Sequence, residues 1–174
     1  MPLSRFLLSA VTSALLASCA IPMVAPAHSA PAAPTTIASG YRGTEAHIFD
    51  LINAERRRQG LRPLVFNERL DRMAKIQADN MARFQKMAHT LPDASLPTLG
   101  DRARYVGYPY GRIAENVALG YPSAETVVEG WMNSSGHRRN ILDHEVAETG
   151  IAIARSSAGG LYYCQVFGRQ LTSF

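Results

Sequence analysis

From residue 44 onward, apolar positions recur at spacings that name their elements. Ile48, Leu51 and Ile52 share one helical face, with Thr44 as the expected N-cap and Gly60 then Pro63 as stop signals. A second helix is predicted after an Asn67 cap. Leu70, Met73, Ala74, Gln77, Met81 and Phe84 form its inner face, leaving Arg69, Arg72, Lys75 and Asp79 mostly outside. The methionines suit irregular core filling. Residues 87–95 break the period and read as a loop. Ser95 with Pro97 is expected to start a short third helix that ends by Gly107, and YPYG at 108–111 reads as a turn.

Arg112 to Leu119 alternates in part and reads as a strand. Ser123 caps a helix with Ala124, Val127, Val128 and Trp131 inward, and Gly136 precedes a short helix over about 137–142. Thr149–Arg155 and Leu161–Gly168 are predicted strands joined by SSAGG as a hairpin. Helices and strands do not alternate regularly, so a doubly wound sheet is excluded. The expected class is α+β, a small antiparallel sheet with helices on both faces.

The first residues follow other rules. Arg5 precedes an apolar run, FLLSAVTSALL at 6–16, of the length of a secretory h-region and too short for an ordinary membrane span. Leu16-Ala17-Ser18-Cys19 resembles a lipoprotein lipobox, which would make Cys19 the lipidated residue; Ala27-His28-Ser29-Ala30 offers ordinary signal cleavage instead. The Ala/Pro-rich stretch that follows cannot form a core and reads as a tether. The expected organisation is a signal peptide over 1–19, a tether over 20–43 and one folded domain over 44–174. The expected location is extracytoplasmic, secreted or lipid-anchored in a bacterial envelope, with the anchor as the sole membrane contact.

Charge adds little. The net of +4 falls to +3 once Arg5 leaves with the signal, too mild and too scattered to indicate nucleic acid. The densest run, Arg56-Arg57-Arg58, reads as a solvated helix end. Cys164 lies in the apolar run LYYCQVFG and reads as a buried free thiol rather than half of a disulfide.

Three polar residues stand where a plain core gives no reason for them: His89 after the long helix, Glu115 inside the strand RIAENVAL, and His137 at the start of the last helix. Helical spacing puts Asn140 and Ile141 on the side of His137, with Arg138 and Arg139 toward solvent. Strand alternation sends Asn116 to the face opposite Glu115, and separates Tyr162 from Gln165. Trp131 reads as core. Ser134, Ser135 and Thr90 are hydroxyls near the histidines in sequence, although Ser135 suits a cap or turn.

The ordered set LINAERRRQG, MAHT, AENVALG, VVEGWMNSSGHRRNIL, TGIAIA and YYCQVFG resembles the CAP superfamily of cysteine-rich secretory, antigen-5 and pathogenesis-related proteins. The likeness is to its disulfide-free bacterial branch and covers about residues 44–169. The resemblance implies an α-β-α sandwich with an open cleft, and carries the family's two histidines and first glutamate onto His89, His137 and Glu115. Its fourth ionisable position, a glutamate, falls on Ser134, and Glu129 is misplaced to replace it.

Two imidazoles and a carboxylate allow two chemistries. They are a reasonable donor set for zinc or another divalent metal, held by His89, Glu115 and His137. They also allow an anion or polar ligand to bind with no metal. The expected function is therefore binding, of a metal ion or a polar ligand, in an envelope-facing cleft. One alternative is a metal-assisted hydrolase of peptide or envelope polymer with Glu115 as base. Another, resting on the family likeness alone, is lipid or sterol binding. HExxH is absent.

Overall fold

The computed structural model describes residues 43–171. The signal segment, both cleavage patterns, Cys19 and tether residues 20–42 lie outside them. Five helices and four strands follow in the order α1 (Thr44–Arg58), β1 (Val65–Phe66), α2 (Glu68–Phe84), α3 (Leu99–Val106), β2 (Tyr110–Leu119), α4 (Ala124–Asn133), α5 (Ser135–Ile141), β3 (Glu148–Arg155) and β4 (Leu161–Gln170). The sheet order is β1-β3-β4-β2, so β2 is an edge strand. β4 pairs antiparallel with both β2 and β3.

The class is α+β, as the pattern predicted. The sheet is mixed rather than purely antiparallel, because β1 runs parallel to β3 through Val65↔Glu148 and Phe66↔Thr149. Two residues are too few for alternation to be visible in sequence. β2 begins at Tyr110, absorbing half of the expected turn, with a register irregularity between Tyr110 and Arg112.

The caps divide the same way. Asn67 caps α2, its side chain accepting from the backbone N–H of Arg69 and Leu70. Ser123 caps α4 in a capping box with Thr126. Thr44 does not cap α1; Gly43 does, at φ 63°, without a side-chain bond. α3 starts later than expected, because Thr98 and Asp101 form the capping box there rather than Ser95. α5 starts at Ser135, two residues earlier than expected.

Each sheet face carries its own core. On one, Leu70, Met73 and Met81 of α2 and Ala103 and Val106 of α3 pack on Val117, Cys164 and Val166. On the other, Ile48 and Ile52 of α1 and Val127, Val128 and Trp131 of α4 pack on Ile151, Tyr163 and Phe167. Cys164 is the buried free thiol expected, and burial holds its pKa well above the usual thiol value.

The arginine run departs from expectation. Arg57 and Arg58 are exposed, but Arg56 is only 2 % exposed. Its guanidinium donates to the carbonyls of Arg62 (2.9 Å), Ile141 (2.7 Å), Asp143 (2.9 Å) and Val146 (3.4 Å). Position 56 continues the Ile48–Ile52 row at helical spacing, so it had to turn inward. There it fastens the segment after α5 to α1.

α2 lies directly on β3 at Gly150. A Cβ there would stand 2.0 Å from the Asp71 backbone nitrogen and 2.1 Å from the Leu70 carbonyl carbon, atoms that cannot yield without moving the helix. Gly150→Ala is therefore expected to lower unfolding free energy by about 1–3 kcal/mol or more, the range for overpacking. Urea denaturation checks this; an unchanged midpoint would contradict the close approach.

Candidate functional site

Because β2 is an edge strand, its residues alternate between the two helical layers while one backbone edge stays free of the sheet. Glu115 turns toward α2 and α3, and its neighbour Asn116 turns toward α5. Both are buried. The Asn116 side chain donates to the His137 carbonyl (3.2 Å). The Asn140 amide donates to Asn116 Oδ1 (2.9 Å) and to the backbone carbonyl of Glu115 (3.2 Å). These bonds dock α5 on the strand and hold His137 beside the Glu115 segment. As expected, Asn140 shares the inner side with Ile141 while Arg138 and Arg139 are exposed.

His89 is placed from the opposite layer. Gln77 of α2, wholly buried, donates from Nε2 to the Ala88 carbonyl at 2.5 Å and so holds the loop one residue before the histidine. His89 Nδ1 then lies 3.0 Å from Glu115 Oε1. A carboxylate can only accept, so Nδ1 carries the proton and Nε2 bears the lone pair when the ring is neutral. The ring is half exposed, with its side chain 58 % accessible. Nε2 has no hydrogen bond among the described residues.

The second carboxylate oxygen is also engaged. Arg102 of α3 donates from Nη2 to Glu115 Oε2 at 2.5 Å, in an ion pair with the arginine side chain at 0 % and the glutamate at 3 % exposure. The Cys164 thiol lies 3.5 Å from the same oxygen. The sequence reading missed Arg102. The signal was present in the spacing of Leu99, Arg102, Ala103 and Val106, which puts an arginine on the buried stripe of α3.

The histidines are pushed in opposite directions. His89 is raised, first by its bond to Glu115, against burial and the Arg102 charge. His137 is lowered, first by burial and then by the charge on His89. The two rings therefore sense each other, although no hydrogen bond joins the His137 ring to His89 or Glu115 among the described residues.

These contacts bear on the metal expectation. With both Glu115 oxygens engaged, the free donors are two imidazoles. Among the described residues no group of three or more His, Cys, Asp or Glu is placed to hold a metal ion. A carboxylate behind His89 is the arrangement that orients metal-binding histidines. The set nevertheless falls one protein ligand short of the three usual in catalytic zinc sites. Nor is a nucleophile assembled: the hydroxyls of Ser134, Ser135 and Thr90 have no bond to an imidazole or carboxylate among the described residues. Trp131 is core, its Nε1 donating to the Val117 carbonyl at 3.3 Å. Tyr162 and Gln165 are both buried, on opposite faces; Gln165 bonds Thr149 Oγ1 at 3.2 Å.

The model of the CAP family, described as the cysteine-rich secretory protein family, matches residues 49–167. The chain belongs to that family. A Bacillus subtilis relative, the uncharacterized protein YkwD, is 34% identical over 135 residues, covering 78% of this chain and 51% of the relative. This CAP chain thus spans about half the length of that curated relative. Among solved structures it is similar to an extracellular Bacillus anthracis protein containing an SCP domain, with 28% identity and a TM-score of 0.64 over 74% of this chain and 41% of that one. An outer surface protein of Borrelia burgdorferi shares the fold, with 20% identity and a TM-score of 0.67 over 75% of this chain and 97% of that one. At the CAP position where a second glutamate is expected, Ser134 links α4 to α5, and Glu129 is exposed on α4.

The pKa directions give a test. His89 binds its proton more tightly folded than unfolded, so its stabilisation is complete below the ordinary imidazole pKa and is lost as pH rises through the raised value. His137 has the opposite sign: its protonation at acid pH opposes folding. NMR titration of the two rings should place the His89 midpoint above the His137 midpoint. In Glu115→Gln the His89 midpoint should fall and the His137 midpoint rise. Midpoints that do not respond to this substitution would contradict the coupling.

Proposed function

We propose that this CAP domain is an extracytoplasmic binding module whose cleft, carried by His89, Glu115 and His137, takes a polar, acceptor-rich or anionic ligand. The observation that carries the reading is the engagement of Glu115 on both oxygens. A carboxylate neutralised by Arg102 and bonded to His89 orients an imidazole, and is poorly placed to serve as the general base of a hydrolase. The outward-facing chemistry is then two imidazoles, one of them inclined to carry charge. Zinc or another divalent ion would be held by the same two rings, with Glu115 orienting His89 from behind. An extracytoplasmic location is supported by the extracellular Bacillus anthracis neighbour and by the signal-like N-terminal segment. Lipidation at Cys19 belongs to this proposal as the anchor.

The domain, purified without a histidine tag, is to be analysed for bound metal and for co-purifying small molecules by mass spectrometry. It is then titrated with inorganic phosphate, with acetate and with zinc. Saturable binding that weakens at least tenfold in both His89→Ala and His137→Ala, with the thermal midpoint nearly unchanged, is the expected result. Binding indifferent to both substitutions would overturn the assignment. Hydrolysis of envelope material that disappears in Glu115→Gln would replace it with the enzymatic reading.

A further inference from the structure

Among the described residues two arginines are buried, and they are bonded very differently. Arg56 donates from Nε, Nη1 and Nη2 to four backbone carbonyls. That is the pattern of a guanidinium whose task is to join segments of the fold. Arg102 is even more deeply buried, yet among the described residues its one hydrogen bond runs to Glu115 Oε2, and its Nε and Nη1 have no partner there. Leaving buried donors unsatisfied is costly, and an apolar residue of similar volume would serve the packing of α3 at least as well. Packing therefore does not account for Arg102, whereas its one contact does.

We propose that Arg102 is a positioning residue that fixes the ligand-facing tautomer of His89 through Glu115. The guanidinium holds Glu115 in one orientation, with Oε2 toward α3 and Oε1 toward His89. An Oε1 that accepts from His89 makes Nδ1 the protonated nitrogen, which leaves the Nε2 lone pair facing outward. Without the guanidinium the buried carboxylate loses the partner that orients it and turns away, and His89 is no longer held to one tautomer. Arg102 is silent toward ligand itself, being wholly inaccessible. The inference rests on the reading of His89 as a ligand contact, but the tautomer can be measured with no ligand present.

The test uses the full chain and imidazole proton–nitrogen NMR correlations recorded well above the His89 titration. The parent chain should show a single Nδ1–H tautomer for His89. Arg102→Met should show a mixture or the Nε2–H form, Arg102→Lys should restore the parent pattern, and Arg56→Met should lower the melting temperature without altering it. Zinc alone serves as the second probe, with affinity expected to drop about 10–100-fold in Arg102→Met, the range for loss of an orienting partner. Should the Met variant fail to fold, Arg102→Gln, polar but uncharged, carries the same expectation. A folded uncharged variant that keeps the Nδ1–H tautomer overturns the inference. A parent chain that shows this tautomer but binds neither anion nor zinc removes the binding proposal and leaves the positioning role standing.

Discussion

The site depends on one constraint, the alternation of side chains along a strand that has a sheet partner on one side only. On β2, Glu115 and Asn116 are consecutive, so they must enter opposite layers. Glu115 meets α3 and the loop that follows α2, while Asn116 meets α5. The carbonyl of Glu115 is taken up by the Asn140 amide instead of a further strand. In this way the edge that would otherwise offer a template for a stray strand becomes the dock for a short helix. A one-residue slip of β2 would exchange the two side chains, bury the asparagine against Arg102 and separate both histidines from their supports.

Placing an ion pair in that setting has a definite energetic character. Removing two charges from water is expensive, and a pair bonded through one guanidinium nitrogen recovers less than a forked, fully satisfied pair would. Arg102 and Glu115 also lie beside the Cys164 thiol and among the apolar residues of the α2–α3 core, where water does not screen them. Such an arrangement contributes geometry more than stability. It gives Glu115 one orientation, and through it gives one orientation to a ring that is otherwise half in solvent.

Much of this was legible in the chain. The helical rows of α1, α2 and α4, the Asn67 and Ser123 caps and the terminal hairpin follow directly from spacing. Glu115 and Asn116 stand out as polar residues inside an apolar strand, and Asn140 by its helical spacing from His137, whereas His89 lies in a loop where neither period nor parity applies. What escaped shares a physical cause. β1 is two residues long and is made by β3 rather than by its own sequence. Arg56 and Arg102 sit at inner positions of helices, yet arginine is so commonly a surface residue that neither burial is evident from the residue type. Only the positions of Ile48 and Ile52 for the first, and of Ala103 and Val106 for the second, reveal the burial. A charged residue on an apolar row thus signals a partner elsewhere in the chain, and sequence spacing cannot say which one.

On the family likeness, Ser134 stands where a second carboxylate is expected. A second carboxylate at that position would make an acid pair with two imidazoles, a set that favours a cation. With serine there, the one carboxylate is already neutralised by Arg102, and any proton taken up by His89 is left without an opposing charge that faces the solvent. Arg138 and Arg139 stand exposed on the helix that carries His137. The local field therefore becomes more positive as pH falls, and His137 resists its own proton first because its ring is partly buried and then because of the charge on His89. On the binding proposal, an anionic or acceptor-rich ligand supplies the missing negative charge from outside. On that proposal, the role given to a protein carboxylate in the fuller family pattern would pass to the bound molecule.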